Sequence, residues 1–492
     1  KETTLTQNLR WMRIRADVPV ATHWFLPPVF GSGSGGSYPV FLARREVEDS
    51  QLVSELAKGG RDAPCILLVF DRMTKARREG FAIAMRRAKQ TVLLIDETQV
   101  LYLSTRTSWM ERLFACATPF GYLQPYTTSS GNIPSEMFFG REKEIAAIES
   151  VENNGCLVYG GRQLGKSALL HHVRKRFDLP ETGRRAYYLK IDEFGGPVQP
   201  AARIWDEIRR VLLADQIVPE AANLPEEISA AIDEWLLQGG ERRILFLIDE
   251  ADMFLASEVR DAFPNLNRLK DMMEATTRRF KVVFAGLHNV RRLAKAPNSP
   301  LVHLGEPICI GPLNTSAESG HQARRLVIEP MKAAGFQYAT PDLVHALLTR
   351  VNYYPSLVQV FCKALLEGIS NLPRPPGAGP RWLLSKEQLF ESSSAGDIRS
   401  QIRERFQWTL NLDPRYELIA KVLALHRLAG MDAAGGAMSV AELMSEVDAF
   451  WPRDFERLTP DDFRAFLDEM VDLGVLIRQV QGNGRYGLRG AQ

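Results

Sequence analysis

Eight residues constrain this chain more than any others. Gly160-Gly161-Arg162-Gln163-Leu164-Gly165-Lys166-Ser167 fits the pattern G-x-x-x-x-G-K-[ST] without a mismatch. The apolar run before it, over 156–159, reads as a strand, and residues 166–177 read as a helix. That strand–loop–helix context is what makes the pattern a phosphate-binding loop. Its glycines let backbone N–H groups approach phosphate oxygens, and the helix N-terminus adds positive potential. Lys166 is expected to reach the β- and γ-phosphates, and the Ser167 hydroxyl to ligate Mg2+. The stretch from Gly160 through Ala168 is thus the expected nucleotide cradle. A chance glycine-rich turn is the competing reading, and the flanking elements together with a partner motif weigh against it.

The partner is Ile244-Leu245-Phe246-Leu247-Ile248-Asp249-Glu250, an apolar strand that delivers two carboxylates at its C-terminal end. Ligands of open α/β sheets bind at that end. Asp249 is expected to hold the Mg2+ shell, and Glu250 to orient or deprotonate the attacking water. The motif alone is weak, because Val92-Leu93-Leu94-Ile95-Asp96-Glu97 looks the same. No lysine-bearing loop precedes that copy, so Asp96 and Glu97 read as structural or solvated. The strand over 281–285 leads to Asn289, which could hydrogen-bond the γ-phosphate or the water, against the alternative of a loop Asn satisfying its own turn. Arg291 or Arg292 could act as an arginine finger, although arginines at a helix start are more often solvated.

Around these motifs, 492 residues suggest roughly three domains. Residues 38–136 read as a small α/β domain plus a packed linker. Strands are expected over 39–43, 65–70, 91–95 and 100–103, with helices over 46–58 and 74–89. The loop-rich stretch that follows carries Phe120, Tyr122 and Tyr126 and should pack. Residues 137–313 alternate strands and helices, which implies a parallel sheet with helices on both faces. Residues 314–380 form a helical lid ending in the punctuating PRPPGAGP of 373–380. Residues 1–37 form an N-terminal segment whose Gly/Ser run, 31–37, reads as a flexible linker, engineered or natural. The first residue is Lys1, so the chain reads as a fragment, a processed chain or a renumbered one.

Residues 381–492 give helices over 415–428 and 440–450, and a third after Thr459-Pro460, an N-cap with proline at N1. Gly474 stops that helix. Strand candidates over 475–481 and 485–488 flank Gly482-Asn483-Gly484, a hairpin signal. Three helices and a β-wing spell a winged helix. Its third helix carries Asp461, Asp462, Asp468, Glu469 and Asp472 against Arg464, a face that phosphates would repel.

The motifs resemble a known family. Phe139-Gly140-Arg141-x-x-Glu144-Ile145 is similar to the opening motif of AAA+ initiator and STAND-type ATPases. GGRQLGKSALL, LIDEAD at 247–252, and Pro355 within Asn352-Tyr353-Tyr354-Pro355-Ser356-Leu357 resemble the archaeal-ATPase-like branch of STAND proteins. The resemblance covers about 137–490. It implies an α/β fold: a P-loop AAA+/STAND ATPase core with a parallel sheet, a helical lid and a C-terminal winged helix, here preceded by a small α/β domain. It also implies that Arg141 borders the adenine and that Pro355 touches the nucleotide from the lid. No lid arginine of the initiator kind stands beside Tyr354-Pro355, which favours STAND.

The expected function is a nucleotide-operated switch that binds ATP or ADP with Mg2+ and hydrolyses ATP slowly. It would assemble as a homo-oligomer on activation, with a protein sensor or effector as partner, in signalling or phage defence. The alternative is a DNA-associated AAA+ ATPase of initiator or transposition-regulator type. That reading needs a basic surface, for which Arg13, Arg15, Arg86, Arg87, Arg174, Arg176, Arg184 and Arg185 are candidates; the formal net charge of +2 supplies no global field. Five singly scattered cysteines suggest neither a zinc site nor a disulfide framework and suit a reducing cytoplasm. No apolar run approaches the roughly 18 residues of a membrane helix. No nuclease or TIR-like constellation is visible in 38–126.

Overall fold

A computed structural model describes residues 3–6, 9–16, 24–44, 47–58, 64–128, 131, 133–152, 156–191, 200–286, 300–313, 317–370, 382–390, 395–429, 436–455, 458–479 and 484–489. The chain divides into two compact units. The first comprises 1–129, 133–140 and 316–402; the second comprises 130–132, 141–315 and 403–492.

The first unit holds a five-stranded sheet: β1 (Thr3–Thr6), β2 (Leu9–Arg15), β3 (Ser37–Arg44), β4 (Cys65–Phe70) and β5 (Val92–Asp96), in that order. β1, β2 and β3 pair antiparallel, and β3, β4 and β5 parallel. Alternation sorts the side chains of the parallel strands. Phe41, Leu67, Val69 and Leu94 join one apolar cluster, and Tyr38, Leu93 and Ile95 another, so both faces are covered. The Gly/Ser run expected as a flexible linker instead makes consecutive turns leading into β3. Gly33 N donates to the Pro28 carbonyl at 2.7 Å, and the Ser34 hydroxyl to Gly31 O at 2.8 Å.

Four helices belong to this region: α1 (Asp49–Lys58), α2 (Lys75–Ala88), α3 (Glu97–Ser104) and α4 (Trp109–Ala117). α3 overturns the expected strand over 100–103. A short apolar run does not distinguish strand from helix, and here Asp96 decides it. Asp96 accepts from Gln99 N at 2.9 Å while Gln99 Oε1 accepts from Asp96 N at 3.1 Å, a complete capping box. α4 lies in the stretch expected to be loop-rich, with Leu113, Phe114 and Ala117 buried on one face. The expected packing of that stretch does occur: Tyr126 is buried and its hydroxyl donates to the Val327 carbonyl at 3.1 Å.

The same unit is completed by helices Ala317–Ala333, Pro341–Arg350 and Pro355–Ser370. They do not form an uninterrupted helical lid, as expected within 314–380. Strand Phe336–Tyr338 interrupts them and pairs parallel with Trp382–Leu384. Residues 371–380 lie outside the described residues.

The second unit is built on β6 (Leu157–Tyr159), β7 (Arg184–Lys190), β8 (Arg243–Asp249), β9 (Phe280–Gly286) and β10 (Ile308–Cys309). Their order is β10-β6-β9-β8-β7, all parallel. Flanking them are α5 (Glu142–Glu149), α6 (Lys166–Phe177), α7 (Pro200–Ala214), α8 (Pro225–Leu237), α9 (Asp252–Arg260) and α10 (Pro264–Ala275). Phe246, Phe254, Phe280 and Phe284 are fully buried between sheet and helices, each stabilising by about 1.5–3 kcal/mol.

The winged helix belongs to this second unit. Helices Pro414–Leu428, Val440–Phe450 and Pro460–Asp472 enclose a core of Tyr416, Leu443, Phe463, Leu467 and Met470. Strands Leu476–Arg478 and Tyr486–Leu488 form the wing, and Met438 bridges to Tyr486. The predicted cap is present: the Thr459 hydroxyl accepts from Asp462 N at 3.2 Å, with Pro460 at N1 and Gly474 at φ +79° after the helix. Among the described residues, no helix is long and apolar enough to cross a membrane.

Candidate functional site

The phosphate loop is shaped by close backbone approach. A Cβ on Gly160 would stand 2.4 Å from the Ile310 carbonyl oxygen of the neighbouring strand end, so only glycine fits there. Gly165 has φ +100° and opens α6 in a conformation L side chains rarely adopt. Gln163 takes a left-handed φ of +62°, Leu164 is buried, and Arg162 is exposed. Ala168 is buried in the first turn of α6.

Lys166 folds back over the loop. Its Nζ donates to the carbonyls of Gly160 (2.8 Å) and Gly161 (2.9 Å). The residue is partly exposed, but the loop encloses its ammonium, and that desolvation lowers its pKa to about 8, against the opposing pull of Asp249. These carbonyls occupy the donors that phosphate oxygens would take.

Asp249 ends β8 and is 2% exposed. The Ser167 hydroxyl donates to its Oδ2 at 2.5 Å, and the Tyr188 hydroxyl donates to the same oxygen at 2.8 Å. Glu250 N donates to Oδ1 at 3.0 Å. Glu250 itself sits at φ +54°, a strained setting for a residue with a side chain, and its carboxylate is 54% exposed beside Lys190 Nζ at 3.7 Å. The structure therefore brings Lys166, Ser167, Asp249 and Glu250 to one edge of the sheet.

The other expected residues fall as follows. Arg141, at φ +71°, pairs with Glu144 at 3.2 Å and donates to the Gly311 carbonyl, tying the start of α5 to the exit of β10. Pro355 begins helix Pro355–Ser370, in the other compact unit. Asn289, Arg291 and Arg292 lie outside the described residues. Asp96 is buried, caps α3 and meets Arg78 at 2.5 Å, which is the structural role expected of it.

Sequence reasoning missed three residues at this edge. Tyr188 stacks on His171, with ring centroids 4.0 Å apart, as it reaches Asp249. Burial raises the Tyr188 pKa, with Asp249 the next cause. Lys190 shares its strand face by alternation, two residues on. Tyr159, last in β6, donates to Asp472 Oδ2 of the winged helix at 2.8 Å. Alternation of Tyr188 and Lys190 in a strand next to the carboxylate strand was the one available signal.

A parallel sheet whose loop strand and carboxylate strand are separated by one intervening strand, with a winged helix following, defines an α/β P-loop core of AAA+ type. No protein-family model matches the chain, and no curated protein matches it. Solved structures resemble it at low identity. An ORC1 protein of Aeropyrum pernix, solved in complex with DNA, is 17% identical, covering 72% of this chain and 90% of that one at a TM-score of 0.31. An Aeropyrum pernix ORC2 protein, in ADPNP-ADP complexes, is 12% identical, covering 68% and 83% at 0.42. CDC6P from Pyrobaculum aerophilum is 12% identical, covering 74% and 93% at 0.34. Likeness of this degree carries no argument about substrate or partner.

Proposed function

We propose that this chain binds ATP with Mg2+, hydrolyses it, and couples the nucleotide state to the seating of its winged helix. The observation that supports this most is the end of helix Pro460–Asp472 against the phosphate loop. Asp472 accepts from Tyr159, the residue before Gly160, and a Cβ on Gly161 would stand 3.3 Å from the Leu473 carbonyl oxygen. Moving the winged helix therefore changes the surroundings of the phosphates.

Ser167 and Asp249 fit Mg2+. A hydroxyl and a buried carboxylate 2.5 Å apart are hard oxygen donors, and this ion takes one or two carboxylates together with substrate phosphates. Bound there, it would neutralise charge on the β- and γ-phosphates. Lys166 exchanges its loop carbonyls for phosphate oxygens. Glu250, exposed at the strand end, orients the attacking water and accepts its proton. Asn289 is assigned to the γ-phosphate or the water, Arg141 to the adenine border and Pro355 to the lid, on the strength of the family resemblance.

Two finer readings share this core. In the first, the chain is a STAND-type switch: ADP holds a closed monomer, and ATP with a sensor or effector protein permits homo-oligomerisation in signalling or antiphage defence. The motifs GGRQLGKSALL and LIDEAD, and the sequence resemblance around Pro355, support it. In the second, it is a DNA-associated AAA+ ATPase. The ORC1 protein named above was solved in complex with DNA. Of the arginines expected to supply its basic surface, Arg13, Arg15, Arg87, Arg174 and Arg176 are exposed, Arg184 and Arg185 partly so, and Arg86 is buried. Arg86 donates to the Pro119 carbonyl at 2.7 Å, Arg176 meets Glu149 at 3.3 Å, Arg184 lies 4.3 Å over the Phe177 ring, and Arg185 pairs with Asp178 at 3.4 Å. A duplex titration separates the two. The switch reading expects affinity no tighter than the non-specific range of about 10⁻⁴–10⁻⁶ M at physiological salt; tight, sequence-selective binding establishes the second reading and removes the first.

A further inference from the structure

We propose that Tyr188 is the positioning residue of the metal carboxylate: its hydroxyl fixes Asp249 Oδ2 so that the oxygens of Asp249 and Ser167 are presented together to Mg2+. The inference rests on the nucleotide-binding reading and assigns a residue that the phosphate-loop and carboxylate motifs do not contain.

The geometry is over-determined. Tyr188 lies in β7, hydrogen-bonded along its length to β8 with Tyr188 opposite Leu247 and Lys190 opposite Asp249. Its ring rests on His171 at 4.0 Å, and His171 is one turn beyond Ser167 on the same face of α6. The ring is thus held between the loop helix and the carboxylate strand, with its hydroxyl on Asp249 Oδ2. Two side-chain donors converge on Asp249 Oδ2, Ser167 at 2.5 Å and Tyr188 at 2.8 Å, while Oδ1 takes the Glu250 amide at 3.0 Å. Ser167 is the donor whose oxygen the metal requires. Tyr188 is the donor free to stay on the carboxylate when Ser167 turns to the ion. Outer partners that orient a ligating carboxylate typically govern metal affinity by 10–100-fold.

The test uses the full chain and a fluorescent ADP, titrated in EDTA and then with increasing Mg2+. Tyr188→Phe keeps the ring and its stack on His171 and removes only the hydroxyl. The expected result is an apparent Mg2+ affinity lowered about 10–100-fold, with ADP affinity in EDTA within about twofold of the parent and the midpoint of thermal unfolding in EDTA nearly unchanged. If the parent binds no nucleotide, or is indifferent to Mg2+, the nucleotide-binding reading itself fails. If the parent responds to Mg2+ and Tyr188→Phe responds identically, the reading stands and the role of Tyr188 is overturned. If Tyr188→Phe also loses binding in EDTA, the residue is structural and the proposal is equally overturned.

Discussion

Lys166 and Glu250 carry opposite halves of the proposed chemistry, and each can be removed without the other. Lys166→Ala takes away the charge that faces the phosphates, and ATP affinity by calorimetric titration should fall at least tenfold, about 1.4 kcal/mol. Parent-like affinity would end the phosphate-loop assignment. Glu250→Gln keeps shape and hydrogen bonding but cannot accept the water's proton, so ATP should bind while phosphate release stops; turnover at the parent rate would remove Glu250 from the mechanism. Asp96 is the control carboxylate. It is 1% exposed and pairs with Arg78, so Asp96→Asn leaves a partly buried guanidinium without its counter-charge. Thermal unfolding should show a loss of about 3–5 kcal/mol, with ATP affinity per folded molecule unchanged.

The helix Pro460–Asp472 shows what an element does with charges that composition cannot place. As a string of acids it reads as a face that repels phosphate. In the fold, Asp462 completes the capping box by accepting from Thr459 N at 3.2 Å, Asp468 accepts from Tyr486 of the wing at 2.7 Å, and Asp472 accepts from Tyr159. The carboxylates hold the winged helix together and seat it. Asp472→Asn weakens a charge-assisted bond worth about 1.5–3 kcal/mol, and bound nucleotide should leave about tenfold faster in a chase experiment; an unchanged release rate would detach the winged helix from the site's energetics. The helix itself was legible, because Thr459-Pro460 and Gly474 mark its ends. So were the loop and β8, where pattern and flanking elements agree. The run 100–103 becomes helical through the Asp96–Gln99 capping box, a local signal that the apolar run of β5 outweighed. Tyr188 has no such local signature: it matters only because β7 lies beside β8.

At the scale of the whole molecule, the switch reading predicts that nucleotide state changes size or assembly. ADP and triphosphate differ in the contacts they offer, and a ligand shifts an equilibrium only through such a difference. Small-angle scattering and mass photometry should distinguish the chain with ADP, the Glu250→Gln variant with ATP, and the chain without nucleotide. Identical mass and radius in all three, with an activating partner present, would rule the switch out.

The division of the chain into units has a further consequence, for biosynthesis. Neither unit is one stretch of sequence: the first is begun by residues 1–129 and finished by 316–402, with most of the second in between. A ribosome adding roughly 5–20 residues per second makes the N-terminal sheet many seconds before the carbonyl of Val327 exists to receive the Tyr126 hydroxyl. The contacts that residues 316–402 make with the N-terminal region, Tyr126 with Val327 among them, must therefore wait while the sheet of the second unit is translated and can fold ahead of them. A premature stop anywhere before about residue 316 would leave the first unit unfinished, and one before residue 403 would leave the second without its winged helix. Each unit is thus completed only after part of the other has been made, and nascent chains truncated near those positions are where protease sensitivity should concentrate.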